Sequence, residues 1–387
     1  MKTEWVHKKL GEIGEVISGG TPSTGNDAFW NGDVLFVTPL DLGREKEIEK
    51  TSRTISEFGV INSSANKIKA NSLAISTRAP IGLMSIVKKE FTTNQGCKSI
   101  QFYENQEAQF HYYNLLYNVE YIKRFGQGTT FMEISKTDFS NLEFRVPKFL
   151  PAQRRIAAIL SSADKVIAST QKVIAKYKQM KQGLMDDLLK PKEGWKKVKL
   201  GECCDIITGP FGSSLHEKDY TKDGIPVINP QNIVDYKIIP IDSCLVSDET
   251  IERLSKYKLK IEDIVIARRG EMGRCAVVEE NQDGWLCGTG CFAIKVHHEK
   301  VNAHFLQLQL CSESTKVVLE NNSIGATMSN LNQSILCELE IDIPSLSEQQ
   351  RIVSILSGID AKIAAEEKVL EKYEKIKRGM MERLLEE

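Results

Sequence analysis

Long apolar runs are missing from this sequence. No stretch approaches the roughly 20 consecutive apolar residues that a membrane-spanning helix needs. The opening residues, Met1 to Val16, lack the apolar core of a secretory leader. An excess of positive charge is missing too: 51 Lys and Arg face 52 Asp and Glu, for a formal net charge of −1. That balance argues against tight, unaided binding to nucleic acid, because phosphate contacts draw on Lys and Arg. A neutral sum can still hide a basic face, and a larger complex can supply further phosphate contacts. A disulfide framework is not indicated either. The nine cysteines are odd in number, and all but Cys97 follow residue 200. In a long chain without a leader they are expected to be free thiols, and the protein cytoplasmic with no membrane partner.

Catalytic signatures are scarce. No P-loop lysine motif is present, so this chain is not expected to drive movement with ATP. Asn229-Pro-Gln-Asn232 has the outline of the Asn-Pro-Pro-aromatic motif of adenine methyltransferases. It lacks the second proline and the aromatic ring that would stack on a flipped base. Gly288-Thr-Gly-Cys-Phe-Ala293 fits a dinucleotide-binding pattern, but it leads into the β-rich run Phe292–Val296 rather than into a helix. Cys287, Cys291, His297 and His298 raise the question of zinc, yet no second cysteine pair stands at ligand spacing and the first half offers only Cys97. Buried thiols are the expected reading, with no metal and no cofactor on this chain.

What is present is a repeat. Trp5-Val-His-Lys-Lys-Leu-Gly-Glu12 returns as Trp195-Lys-Lys-Val-Lys-Leu-Gly-Glu202. Val37–Leu42 returns as Ile228–Ile233, and Leu73–Arg78 as Ile264–Arg269. Gly96-Cys97 returns as Gly290-Cys291, and Gly128-Thr-Thr130 as Gly325-Ala-Thr327. Leu150–Leu160 returns as Leu346–Leu356. The offset grows from 190 to 197 along the chain, which a few small loop insertions explain.

Each half begins with about 150 residues of mixed character, in which short β-type runs alternate with Gly, Pro, Asn and Ser turns. One amphipathic helix is expected near Gln109–Arg124, with Tyr113, Leu116, Tyr117 and Tyr121 on one face, and its copy near Ala303–Leu319. Each half ends in a long helix, over Pro151–Leu189 and from Ser347 to the C-terminus. About 39 residues at 1.5 Å rise make a rod of roughly 58 Å.

Apolar residues recur along both rods at near-heptad spacing. Ile156, Ala163, Tyr177 and Leu184 with Leu160, Ile167, Ile174 and Leu188 form the first seam. Ile352, Ile359, Tyr373 and Met380 with Leu356, Ile363, Leu370 and Leu384 form the second. Ile159, Val166, Val173, Met180, Ile355, Val369 and Ile376 widen the stripes, while Thr170, Lys181, Glu366 and Lys377 interrupt the seams and could fix register. The rods are expected to pair with each other and to run antiparallel. The fold class is then α+β: two similar mixed α/β domains (1–150 and 191–346) separated by two long antiparallel helices (151–190 and 347–387) forming a coiled coil, with a pseudo-two-fold internal repeat.

Two-fold arrangements suit DNA sites with two halves, and a duplicated chain lets the halves differ. The layout resembles the specificity subunit of type I restriction-modification enzymes. The resemblance rests on the Leu-Gly-Glu opening, Gly19-Gly-Thr-Pro-Ser23, the Gly128-Thr-Thr130 turn and the Leu-x-x-Gln-x-x-Ile-x-x-Ile-Leu start of each rod. Gly209-Pro-Phe-Gly-Ser-Ser214 departs from the first-half form, as suits a domain reading another sequence. The resemblance implies a non-catalytic subunit with two target recognition domains, each reading part of a bipartite, asymmetric site in double-stranded DNA. It also implies rods that bind two methyltransferase subunits, with restriction and translocase subunits joining for cleavage. S-adenosylmethionine, ATP and Mg are expected on those partners.

Base readout needs amide, hydroxyl or basic side chains on loops of a rigid scaffold. In the first domain the candidates are Ser18, Gly19, Gly20, Thr21, Pro22, Ser23, Thr24, Thr38, Asp41, Arg78, Thr129 and Thr130. In the second they are Phe211, Gly212, Ser213, Ser214, Asn229, Gln231, Asn232, Arg268, Arg269 and Thr327. Such clusters also make ordinary turns, and the arginines, each ending a β-run, suit either phosphate contacts or structural ion pairs. Two rivals stand beside this reading. An enzyme combining reading with chemistry needs a cofactor loop or an acidic metal cluster, and neither is found. A duplicated coiled-coil adaptor would bind proteins alone.

Overall fold

The computed structural model describes residues 4–126, 133–210, 214–241, 244–271, 273–323 and 331–386. It divides into two compact units, Met1–Lys172 with Lys368–Glu387, and Val173–Glu367, so each unit takes a domain and parts of both long helices.

In the first unit, the runs Ser72–Ser76 and Met84–Val87 have every residue buried, as befits strands covered on both faces. They lie inside a five-stranded sheet ordered Gly14–Ser18, Cys97–Phe102, Ser72–Ser76, Met84–Val87, Glu47–Ile48. Neighbours are antiparallel except the last pair. A second sheet sets Trp30–Val37 between antiparallel Arg53–Ile55 and parallel Phe91–Thr93.

The second unit repeats this plan. Cys204–Thr208, Cys291–Val296, Ile264–Ala267 and Cys275–Val277 follow one another in the same order and sense as the first four strands above. Ile225–Ile228 beside parallel Leu286–Cys287 repeats the pairing of Trp30–Val37 with Phe91–Thr93. A two-stranded ribbon closes each domain, Trp5–Lys9 on Glu143–Pro147 and Lys196–Lys199 on Glu340–Ile343. The repeated tryptophans pack alike, Trp5 on Phe110 and Trp195 on Phe305. The sequence repeat is therefore a repeat of topology.

The single helix expected in each domain is two. Ala108–Tyr117 is followed by Val119–Arg124, and Ala303–Cys311 by Glu313–Ser323. Asn118 Nδ2 donates to the Asn114 carbonyl (2.8 Å), and Ser312 Oγ to the Gln309 carbonyl (2.7 Å). These side chains satisfy carbonyls at the break, where the backbone turns away from helical continuation. Tyr113 is buried as expected, whereas Tyr121 is exposed.

The long helices span Leu150–Leu188 and Leu346–Glu386. A buried glutamine fixes the first turn of each. Gln153 Oε1 accepts from Glu107 N (2.9 Å), and its Nε2 donates to the Pro147 carbonyl (3.0 Å). Gln349 does the same with Asn302 N (2.7 Å) and the Pro344 carbonyl (3.0 Å). One amide thus ties together the end of the ribbon strand, the entry to the domain helix and the rod. This is why both rods open on Leu-x-x-Gln.

Within each unit the two rod segments run antiparallel. In the first, Ile156, Ala157 and Leu160 share a core with Met381 and Leu385, and Lys377 lies 2.5 Å from Asp164. In the second, Met185 shares a core with Ile352 and Leu356, while Lys178 and Lys181 pair with Glu367 (2.9 Å) and Asp360 (2.7 Å). Asp164 and Asp360 occupy one repeat position, and Lys181 and Lys377 another. The lysines that interrupt the apolar seams therefore make the same ion pair once in each unit, a device that specifies register. The seam drifts toward the C-terminus. Tyr373 and Met380, expected inside, are each 36% exposed, and Met381 and Leu385 are buried. A straight helix slips about 20° per heptad, enough to hand the contact to the next residue. Val166, Val173, Met180, Val369 and Ile376 are likewise exposed rather than part of the buried stripe.

Leu356→Ala is expected to cost about 2–5 kcal/mol in thermal or urea unfolding, and Tyr373→Ala far less. The first unit also carries an acid-sensitive group. His111 is buried against Phe102, its Nε2 2.9 Å from Gln106 Oε1, and burial pushes its pKa down to about 3. As pH falls below about 6.5 the unfolded chain takes up a proton that the folded chain refuses. Stability is therefore lost between about pH 6.5 and pH 3, and His111→Phe is expected to flatten that part of the stability–pH curve.

Candidate nucleic-acid interface

In the first domain three expected loops meet at one turn, Thr93–Cys97. Gly20 N donates to the Thr93 carbonyl (2.9 Å) and Gly19 N to that of Cys97 (3.3 Å). Asn94 N donates to the Val37 carbonyl (3.1 Å), and Thr77 N and Arg78 N to that of Gly96 (2.8 and 3.3 Å). The segments Ser18–Thr24, Thr38–Asp41 and Arg78 are thus stitched together through the backbone. Gly19 and Gly20 serve close approach: a Cβ on Gly19 would stand 1.9 Å from the Asn94 carbonyl oxygen, and one on Gly20 2.1 Å from that of Ser64. Pro22 is buried, Ser18 and Thr21 are half-buried, and Ser23 and Thr24 are exposed.

Thr38 and Asp41 face each other. Asp41 Oδ2 accepts from the backbone N (2.9 Å) and the hydroxyl (2.8 Å) of Thr38, and its Oδ1 accepts from Ser52 N (2.9 Å). Both residues are half-buried, and these bonds close the turn from within. The residue that projects is Leu40, 74% exposed. Arg78 sits in an ion pair, its Nη2 2.8 Å from Glu133, whose other oxygen is 3.7 Å from Lys98 Nζ. Lys98 is buried, so desolvation lowers its pKa and Glu133 partly restores it.

The second domain builds the same meeting point at Gly288–Cys291. Gly209 N donates to the Cys291 carbonyl (3.0 Å), Gly288 N to that of Ile228 (2.8 Å) and Arg268 N to that of Gly290 (2.9 Å). A Cβ on Gly209 would stand 1.9 Å from the Gly288 carbonyl oxygen, the counterpart of Gly19. Asn232 is 1% exposed, accepting from Asn229 N and donating to the Ile239 carbonyl, each at 2.9 Å. It holds the turn from within. Asn229 is half-buried, and Gln231 is exposed. Ser214 is half-buried, with its carbonyl accepting from Arg253 (2.6 Å). Arg268 is half-buried over the Phe292 ring (5.1 Å), while Arg269, the counterpart of Arg78, is exposed. Thr129, Thr130, Phe211, Gly212, Ser213 and Thr327 lie outside the described residues.

Two features escaped sequence reading. Gln95 is exposed on the first meeting turn and accepts a hydrogen bond from the Thr21 hydroxyl. Its signal was its place beside the repeated Gly-Cys. The domains also exchange a cation. Lys98 reaches the Thr77 hydroxyl (3.2 Å) in one, and in the other Arg268, at the Thr77 position, covers Phe292, at the Lys98 position.

No group of three or more His, Cys, Asp or Glu is placed to hold a metal among the described residues. No disulfide joins the cysteines among the described residues. Cys287 and Cys291 are buried, and burial pushes the Cys291 thiol up to about 12. His297 faces Asp205 (3.2 Å) and His298 faces Glu262 (3.5 Å). Among the described residues no helix is long and apolar enough to cross a membrane.

Twice-built loop clusters on a repeated mixed scaffold define a duplicated recognition protein. The sequence profile of the type I restriction modification DNA specificity domain matches residues 2–179 and 192–375, and the chain belongs to that family. Its part in such a system is recognition of DNA rather than catalysis. It is 28% identical over 299 residues to the type I restriction enzyme MjaIX specificity subunit of Methanocaldococcus jannaschii, covering 69% of this chain and 67% of that one. It is 30% identical over 187 residues to the EcoR124I/EcoR124II specificity subunit of Escherichia coli, covering 47% and 46%. The S subunit of a type I restriction-modification system from M. genitalium shares the fold, with a TM-score of 0.61 at 16% identity over 99% of this chain and 96% of that one. A chain from a structure describing complex assembly and conformational transition of a type I R-M system matches with a TM-score of 0.65 at 18% identity over 100% and 99%.

Gly19→Ala is expected to cost about 1–3 kcal/mol in thermal unfolding, since the turn must move to admit the methyl group. Gly25→Ala, where the nearest atom to a Cβ is 3.9 Å away, is expected to leave the unfolding midpoint nearly unchanged.

Proposed function

We propose that residues 1–150 and 191–346 each read one half of a bipartite, asymmetric site in double-stranded DNA. The helices over 151–190 and 347–387 set the gap between the halves and hold two methyltransferase subunits. The observation that carries this reading is the loop cluster built twice on one backbone plan, with different exposed side chains at matching positions. A shared plan keeps the presentation constant, and the differing side chains read different bases.

The partners are those that the family resemblance implies, and the rods offer matching places for them. Val173 and Val369 stand at one repeat position and Met180 and Ile376 at another, and all four are exposed. Two equivalent apolar faces suit two copies of one partner. Methyl transfer from S-adenosylmethionine then belongs to the methyltransferase subunits. ATP and Mg belong to the restriction and translocase subunits, and the assembly works in the cytoplasm. A chain of net charge −1 leaves much of the phosphate contact to those partners.

The test is methylation mapping with the full chain assembled with the methyltransferase of its own system. A two-part motif with adenines methylated on opposite strands is expected, and exchange of residues 1–150 for a relative's domain is expected to change one half alone. A continuous motif, or target choice indifferent to the exchange, would overturn the reading.

A further inference from the structure

We propose that Leu40 and Gln231 are equivalent reading positions at which the two domains select different bases, an inference that rests on the reading above. Each sits in the middle of a three-residue 3-10 turn, Pro39–Asp41 in one domain and Pro230–Asn232 in the other. The frames share the bond that closes the turn from within. Asp41 Oδ2 accepts from Thr38 N and Asn232 Oδ1 accepts from Asn229 N, both at 2.9 Å. In each turn a proline fixes the first backbone angle. Each turn leaves a strand held by a parallel neighbour, Phe91–Thr93 or Leu286–Cys287. In each domain the turn abuts the meeting point of the candidate loops, through Asn94 N to the Val37 carbonyl and Gly288 N to the Ile228 carbonyl.

Inside these matching frames one side chain differs in kind and faces outward. Leu40 is 74% exposed. Gln231 is exposed too, held only loosely by a 3.8 Å approach of Nε2 to Cys244 Sγ. A lone exposed leucine is ordinary. A leucine presented on the same rigid frame that presents a glutamine in the sister domain is a substitution at a reading position. The chemistry then differs by base. A glutamine amide offers one donor and one acceptor side by side, the complement of adenine N7 and N6 in the major groove. A leucine offers no hydrogen bond and selects the thymine methyl group by apolar contact.

The exchange Leu40→Gln and, separately, Gln231→Leu tests this on the full chain assembled with its methyltransferase, using a duplex library randomised in both half-sites. Each variant is expected to shift base preference about tenfold or more at a single position of a single half-site, toward adenine for Leu40→Gln and toward thymine for Gln231→Leu, with the other half-site unchanged. Leu40→Ala and Gln231→Ala remove the contact without adding another, and are expected to relax that same position. Variants that keep wild-type preference at every position, with unchanged melting temperature, overturn the proposal even if the wild-type chain marks a two-part site. Should an exchange variant methylate no duplex, its alanine counterpart decides: a relaxed position upholds the proposal and retained discrimination overturns it. A wild-type assembly that marks no two-part site fails the parent reading instead, and this proposal with it.

Discussion

A helix can transmit position only if it leaves its domain in a fixed direction, and here that direction depends on one buried amide at each rod. Gln153 and Gln349 each close hydrogen bonds to the ribbon strand and to the entry of the domain helix. A buried amide with an unmet partner costs more than its bonds gain, so the helix cannot swing without exposing or orphaning it. The interrupting lysines do the complementary work farther along. They hold Asp164 in one unit and Asp360 in the other, where an all-apolar seam would tolerate slippage.

The loop clusters follow the same economy. Backbone bonds at Thr93–Cys97 and Gly288–Cys291 gather segments that are far apart in sequence. Glycines at 19, 20 and 209 let chains approach where any Cβ would collide. Side chains that would otherwise solvate the loops, Asp41 and Asn232, are turned inward to stiffen them. Stiffness matters because base discrimination depends on donors and acceptors held in place before DNA arrives.

The duplication, the two rods and their antiparallel pairing within each unit were legible because they are written in repetition and periodicity. The break at Asn118 was not, since a local side-chain bond competes with an otherwise helical pattern. Tyr373 and Met380 satisfied a strict heptad that a straight helix does not keep. Within Asn229-Pro-Gln-Asn232 three amides were equivalent on paper, and bonds to Asn229 N and the Ile239 carbonyl chose which one turned inward. Arg78 was open to two readings, and Glu133, 55 residues away, settled its partner. Lys98 was missed because a lysine inside a β-run carries no sign that it will be buried.

The inward-facing carboxylate of Asp41 and amide of Asn232 have a consequence for how such a chain changes over generations. The groups that stabilise these turns are separate from the groups the turns display. A single codon can alter the display while the scaffold's folding free energy stays where it was. Variation at the tips is then filtered by what the surface meets, with no valley of unfolded intermediates to cross.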